Sequence, residues 1–170
     1  VETYLRLAGE HPARLTVLPE TAIPLMFDEV PRDVLRGLTA GGDALLGVAV
    51  RTTAGGYVNG AVALTPELRS QGYAKQHLVP FGEYVPLQRF FTLGGRFTAK
   101  LVQEVSDFTP GDEASTGVVD GHRIGGFICY EAIFPSLVRR FAAGGAELLV
   151  NVTNDAWYGN SSAPYQHFEL

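Results

Sequence analysis

Residues 125–136 read GGFICYEAIFPS and contain Cys129, the only cysteine in 170 residues. An apolar run ends on this cysteine, and a helix-like pattern, PSLVRRFAAGG (135–145), follows it. A strand that turns directly into a helix exposes a nucleophile's side chain and aims the next backbone N–H groups at a reacting carbonyl. The same position also suits a small hydrophobe in a packed core, where free cysteines are common. Taken alone, the stretch fits both roles.

The neighbouring segments give the fold class. TGVVDGHRIGG (116–126) predicts a hairpin around Asp120-Gly121, a pair that suits a type I′ turn. AELLVNVTND (146–155) predicts a buried strand, and so does RLTVLPE (14–20), whose end delivers Glu20. ALLGVAVRTTAGGYVNGAVALTP (44–66) reads as two strands joined by a Gly-rich turn. DEVPRDVLRGLTAGG (28–42) has the acidic start, early Pro and closing Gly-Gly of a helix. VETYLRLAGEH (1–11) and QHFEL (166–170) read as parts of helices, so both ends look cut. From Gln71 to Lys100 periodicity is poor, and the aromatic-rich part is expected to be a long, ordered loop. Alternating strands and helices predict an α/β sandwich in one domain.

Composition narrows the function. With 13 basic and 18 acidic residues the net charge is −5, and no basic cluster exceeds Arg139-Arg140. Nucleic acid is therefore not an expected partner. A chain that is 46% hydrophobic and 18% charged, with 20 Gly and 10 Pro, suits a loop-rich enzyme domain rather than a disordered segment. One cysteine forms no internal disulfide and leaves the compartment open. No apolar run reaches the roughly 18–20 residues that span a bilayer.

A thiol nucleophile needs a base or a positive field. His11 and His122 lie in polar helix-end and turn segments, where solvated side chains are the rule. His77 and His167 sit in denser contexts and suit hydrogen-bonding roles. None has metal-ligand spacing, so no metal is expected. Glu20 is a better base, a carboxylate placed directly after an apolar strand. Lys75 is one of two lysines, with Lys100, and could supply fixed positive charge to a developing oxyanion. Against both stands the ordinary outcome: most glutamates and lysines are solvated.

LPETAIP (18–24), YAKQHLVPFGEYVP (73–86) and ICYEAIF (128–134) resemble three signature blocks of the nitrilase (carbon–nitrogen hydrolase) superfamily. They are evenly spaced, with 55 residues from Glu20 to Lys75 and 54 from Lys75 to Cys129. KQHLVPFGEYVPL (75–87) and NVTNDAWYGNSSAPYQHF (151–168) are most similar to the acyltransferase branch that completes bacterial lipoproteins. The resemblance implies an α-β-β-α sandwich, here incomplete at both ends, with residues 1–170 as a truncated catalytic domain. It implies a Glu20-Lys75-Cys129 triad: base, oxyanion stabiliser (with the Tyr130 N–H) and acyl carrier. Glu83 matches a further essential glutamate, Tyr130 and Glu131 match supporting residues, and Asn59 and Trp157 would line a substrate pocket.

It further implies a phospholipid acyl donor, a diacylglyceryl apolipoprotein acceptor and no cofactor. The expected location is the bacterial inner membrane, with the domain on the extracytoplasmic side and membrane segments outside this chain. Phe81 to Phe97 would suit an apolar lid near a bilayer, and equally a core filling. A soluble amidohydrolase acting on a small amide shares the triad and is the alternative. A non-catalytic binding module fits less well, because all three triad residues are present.

Overall fold

The computed structural model describes residues 1–80, 82–84 and 108–169. The segment expected to form an aromatic lid therefore lies largely outside the described residues, as does Lys100. In chain order the elements are α1 (Glu2–Glu10), β1 (Leu15–Val17), a 3-10 turn (Phe27–Glu29), α2 (Arg32–Leu38), β2 (Asp43–Arg51) and β3 (Tyr57–Leu64). Next come β4 (Ser70–Ala74), β5 (Gly117–Val119), β6 (His122–Ile128) and a 3-10 helix (Cys129–Ile133). The chain continues through α3 (Pro135–Ala143), β7 (Leu148–Val152), a 3-10 helix (Asp155–Tyr158) and α4 (Ala163–Phe168).

Two sheets form, in the orders β1-β2-β3-β4 and β5-β6-β7. Alternation along β2 and β3 explains how the first is covered on both faces. Leu45, Ala61 and Ala63 face the second sheet and share a core with Val119, Ile124, Ile128, Leu137 and Phe141. Ala44, Leu46, Val48, Val62 and Leu64 face the other way, onto Leu35 and Leu38 of α2, with Tyr4 and Leu5 of α1 at the edge. Helix α3 covers the second sheet through Leu137 and Phe141. The result is an α/β sandwich, as the strand pattern predicts, in the α-β-β-α layering that the resemblance implies.

Each sheet contains one parallel pair, β1 with β2 and β6 with β7. Each pair is bridged by a helix, α2 in the first and α3 in the second. These are βαβ units, and such a unit needs its helix to bring the chain back to the same edge of the sheet. Glu20 and Cys129 follow the first strand of each unit.

The predicted turns form for the expected reasons. Asp120 and Gly121 both have positive φ, +49° and +81°, as a type I′ turn requires. Helix α3 ends at Gly145 (φ +86°), where Gly145 N–H reaches Ala142 O and Ala146 N–H reaches Phe141 O. That is a Schellman closure.

Three expectations are corrected. β1 is not a buried strand: Leu15 and Thr16 are half-buried, Val17 is 46% exposed, and only the following Leu18 is buried. β7 is not a buried strand: Leu148 and Leu149 are 47% and 41% exposed, and only Val152 is buried. Among the described residues β7 pairs with β6 alone, so it forms an open sheet edge. The start of the expected loop is strand β4, which pairs antiparallel with β3 from Gly60↔Ala74 to Leu64↔Ser70. Its sequence SQGYA lacks apolar alternation because Tyr73 is its one buried residue.

Candidate active site

The carboxyl ends of β1, β4, β6 and β7 meet the first half of β3 at one end of the sandwich. Glu20 arrives there because the backbone after β1 lies flat against β2. Leu18 N–H donates to Leu45 O and Ala22 N–H to Gly47 O. A Cβ at position 47 would lie 2.3 Å from the Pro19 carbonyl oxygen and 2.5 Å from Glu20 Cα. Only glycine permits that approach. Thr21 completes the bend with φ +49°.

Asn59 and Lys75 lie opposite one another across β3 and β4, with Lys75 N–H donating to Asn59 O at 2.8 Å. Both share the inward face of Ala61 and Tyr73, by the two-residue period of strands. Lys75 Nζ, 1% exposed at its side chain, donates to Glu20 Oε1 (3.2 Å) and Glu83 Oε1 (2.9 Å). Asn59 Nδ2 donates to the same two oxygens at 2.7 and 2.8 Å. A flipped amide would turn its oxygen toward two carboxylates, so these bonds fix its orientation. Glu83 also accepts from Val79 N–H through Oε2 at 2.8 Å. Burial opposes the Lys75 charge, but Glu20 and Glu83 outweigh it, and lysine's hold on its proton is strengthened.

Cys129 follows the last residue of β6 and takes φ +51°. A non-glycine residue in that region costs on the order of 1–3 kcal/mol and marks functional sites. The next residue's N–H, that of Tyr130, acts to stabilise negative charge on the sulfur. Burial and then the Glu20 charge push the thiol up, while the Thr153 hydroxyl, Lys75 and the Tyr130 N–H oppose this without reversing it. The resting group is thus a thiol in a dry setting, not a standing thiolate.

Glu131, fully buried, ties the two sheets together. Its Oε1 accepts from Tyr73 OH (2.6 Å), Gln76 N–H (2.8 Å) and His77 N–H (3.1 Å), and its Oε2 from Ile128 N–H (3.0 Å). The donors flank Lys75 on one side and precede Cys129 on the other. Burial and the bond to Glu131 push the Tyr73 phenol up, which keeps it a donor. The Tyr130 ring packs edge-on against Phe134 at 5.4 Å, and His77 stacks on Phe134 at 4.0 Å.

The fold therefore brings Glu20, Lys75, Cys129, Glu83 and Asn59 into one buried group, with Tyr130 and Glu131 supporting it. Asn59 does not line an open pocket as expected; it is 3% exposed and bridges the two carboxylates. Trp157 falls on the helix Asp155–Tyr158, but its side chain lies outside what is described. His122 pairs with Glu147 at the surface.

Sequence reasoning missed Tyr73, Thr153 and Asp155. Thr153 carried no signal readable from the chain alone. The register Ile128↔Val152 makes it the neighbour of Cys129, but that register exists only once β6 and β7 pair in parallel.

The carbon–nitrogen hydrolase profile matches residues 1–170, and the chain belongs to that family. Among its relatives, the apolipoprotein N-acyltransferase of Geobacter metallireducens is 41% identical over 170 residues, covering 94% of this chain and 31% of the relative. That of Nitrosomonas europaea is 38% identical over 181 residues, covering 100% of this chain and 35% of the relative. The chain thus spans about a third of the length of the curated relatives it matches. A Saccharomyces cerevisiae nitrilase-superfamily structure superposes with a TM-score of 0.64 at 17% identity, covering 99% of this chain and 60% of that one. A Nesterenkonia amidase gives 0.58 at 22%, covering 96% and 62%. These structural likenesses concern the fold.

Proposed function

We propose that the chain carries out two-step acyl transfer as the catalytic domain of an apolipoprotein N-acyltransferase. The observation that carries this reading is the buried Lys75 ammonium, held between Glu20 and Glu83 beside the left-handed Cys129. The identity of 41% and 38% to relatives named for that activity supports the choice of substrate class.

Because the thiol is pushed up, attack is coupled to proton transfer rather than run from stored thiolate. The Cys129 sulfur adds to the ester carbonyl of a phospholipid as its proton passes to Glu20. Lys75 and the Tyr130 N–H hold the resulting oxyanion. Collapse expels the lysophospholipid oxygen, which takes the proton from Glu20, and leaves a thioester. In the second step the α-amine of a diacylglyceryl-cysteine peptide adds to the thioester and gives a proton to Glu20. The sulfur leaves, is reprotonated by Glu20, and the amide is formed. The atoms balance with these groups alone.

Both substrates are lipids or lipid-bearing, so the working protein would sit at the bacterial inner membrane, its catalytic domain on the extracytoplasmic side. No helix among the described residues is long and apolar enough to cross a membrane. Anchoring would fall to segments outside this chain.

The test is the full-length protein given phospholipid alone, followed by intact-mass measurement. One acyl group should accumulate on Cys129, be released by hydroxylamine, and discharge onto an added diacylglyceryl-cysteine peptide. A water-excluding site protects such an intermediate. Steady release of free fatty acid, unchanged by peptide, would instead identify an amidohydrolase-like hydrolase and overturn the transferase reading.

A further inference from the structure

A second hydrogen-bonded set reaches Cys129 from β7 and the residues after it, none of them in the triad. Thr153 stands beside Cys129 because the parallel register pairs Ile128 with Val152 and the next residues on both strands leave the sheet together. Its hydroxyl is one of the groups that ease the thiol's loss of a proton, against burial and the Glu20 charge. The same Oγ1 lies 3.2 Å from Asp155 Oδ1, and that oxygen lies 2.8 Å from His167 Nδ1. The His167 side chain is 8% exposed and its Nε2 is buried with no partner among the described residues. Asn151 adds a bond from its Nδ2 to the Cys129 carbonyl at 3.2 Å.

We infer that Thr153, Asp155 and His167 form a positioning chain that aims the Cys129 sulfur and steadies it while its proton moves to Glu20. The inference rests on the reading of Cys129 as nucleophile. His167 Nδ1–H donates to Asp155, which holds the carboxylate where it can accept from Thr153. In the thiol state the Thr153 hydroxyl gives its proton to Asp155 and offers a lone pair to S–H. Once the sulfur is negative, the hydroxyl rotates and donates to it, and Asp155 keeps its bond from His167. One rotor thus serves both protonation states, because a hydroxyl is donor and acceptor at once. Glu20 and Lys75 cannot do this: one is committed to taking the proton and the other to the oxyanion. A bland role, tying down the turn after β7, would use the Thr153 bond to Asp155 for stability alone and leave the pH profile of the sulfur unmoved.

Among the described residues, the groups whose charge or hydrogen bonding acts on the sulfur are Glu20, Lys75, the Tyr130 N–H, Thr153 and Tyr158, whose phenol is itself pushed up by burial and then by Cys129. The test compares the pH dependence of Cys129 alkylation by iodoacetamide in the full-length protein and its variants. Thr153→Val should slow alkylation at neutral pH by about tenfold and move its profile upward, the scale of one lost hydrogen bond to a charged sulfur. Thr153→Ser, which keeps the hydroxyl, should restore both. His167→Phe should reproduce the Thr153→Val profile, while His167→Asn, which can still donate to Asp155, should stay near the parent. Melting temperature separates positioning from folding: Thr153→Val, which loses the bond to Asp155, should melt somewhat below Thr153→Ser while staying folded at the assay temperature, and only a positioning role also moves the alkylation profile. An unchanged alkylation profile in Thr153→Val, or equal slowing in Thr153→Ser and Thr153→Val, overturns the inference. Alkylation needs no acyl donor, so a shifted profile in a protein that transfers no acyl group would sustain this chain while refuting the proposed reaction.

Discussion

Glu20 and Glu83 are held through their Oε1 atoms by the same two donors, Lys75 Nζ and Asn59 Nδ2, at 2.7–3.2 Å. Two carboxylates therefore share one cation in a site that water scarcely reaches. Glu83 has a further bond to Val79 N–H, whereas Glu20 has no other donor among the described contacts. That asymmetry leaves Glu20 the less tightly held carboxylate and makes Glu83 the anchor of the lysine.

Lys75→Met removes the cation and leaves the two carboxylates sharing Asn59 Nδ2, with Val79 N–H on Glu83 alone. Breaking a buried pair in this way costs about 3–5 kcal/mol. The urea midpoint should fall accordingly, and acyl transfer should drop by at least ~100-fold, as for loss of an oxyanion donor. A variant that kept full transfer at a lowered midpoint would make Lys75 a structural ion-pair residue only.

Lys75 and Cys129 both hold protons more tightly in the folded chain than their ordinary values of 10.5 and 9.0. The folded state thus binds more protons than the unfolded one in alkaline solution. Their contribution to stability is full below pH 9, the lower ordinary value, and is lost as pH rises through the folded values. Urea midpoints measured from about pH 8 to about pH 11 should fall, and the fall should begin later in Cys129→Ala. A midpoint that rose over this range would contradict the sign.

Gly47→Ala tests how the base is placed. The new Cβ meets Pro19 and Glu20 backbone, not a flexible side chain, so the loop must move. Overpacking of this kind costs about 1–3 kcal/mol. A displacement of roughly 1 Å at a reacting group can cost ~100-fold in rate, so transfer should fall far more than stability. Equal, small losses in both would mean that the loop adjusts without moving the Glu20 carboxylate.

Tyr73→Phe removes one of the donors to Glu131, and Glu131→Gln sets an amide N–H₂ against backbone N–H groups. The first should cost about 1–2 kcal/mol and the second more, because an unmatched buried donor is left behind. Chemical denaturation of both variants checks the order. A milder effect for Glu131→Gln would mean that the carboxylate's charge is not what holds the donors.

Much of this was legible because the chemistry lies at strand ends that the sequence marks clearly. The apolar runs LTVL and FI stop at Pro19 and Cys129, and the Asp120-Gly121 turn fixes the β6 register. What was not legible depends on pairing between distant segments. SQGYA carries no alternation to announce β4, yet Tyr73 and Lys75 reach the site through it. Leu148 and Leu149 look like core residues in the chain, but an edge strand leaves them exposed. Asn59 looked like a pocket residue because the sequence does not reveal that it lies directly across from Lys75.

Glu20 and Cys129 belong to different sheets and stand 109 residues apart. At roughly 5–20 residues per second, a ribosome needs on the order of ten seconds to make that interval. During this time the first βαβ unit can form, but its base has nothing to act upon. The thiol in turn emerges before β7, which supplies Thr153. Pairing of such distant segments is slow, since loop closure must precede its reward. On the acyl-transfer reading, a newly made chain therefore has no base beside its thiol until the two sheets dock, and the event that buries the core also completes the site.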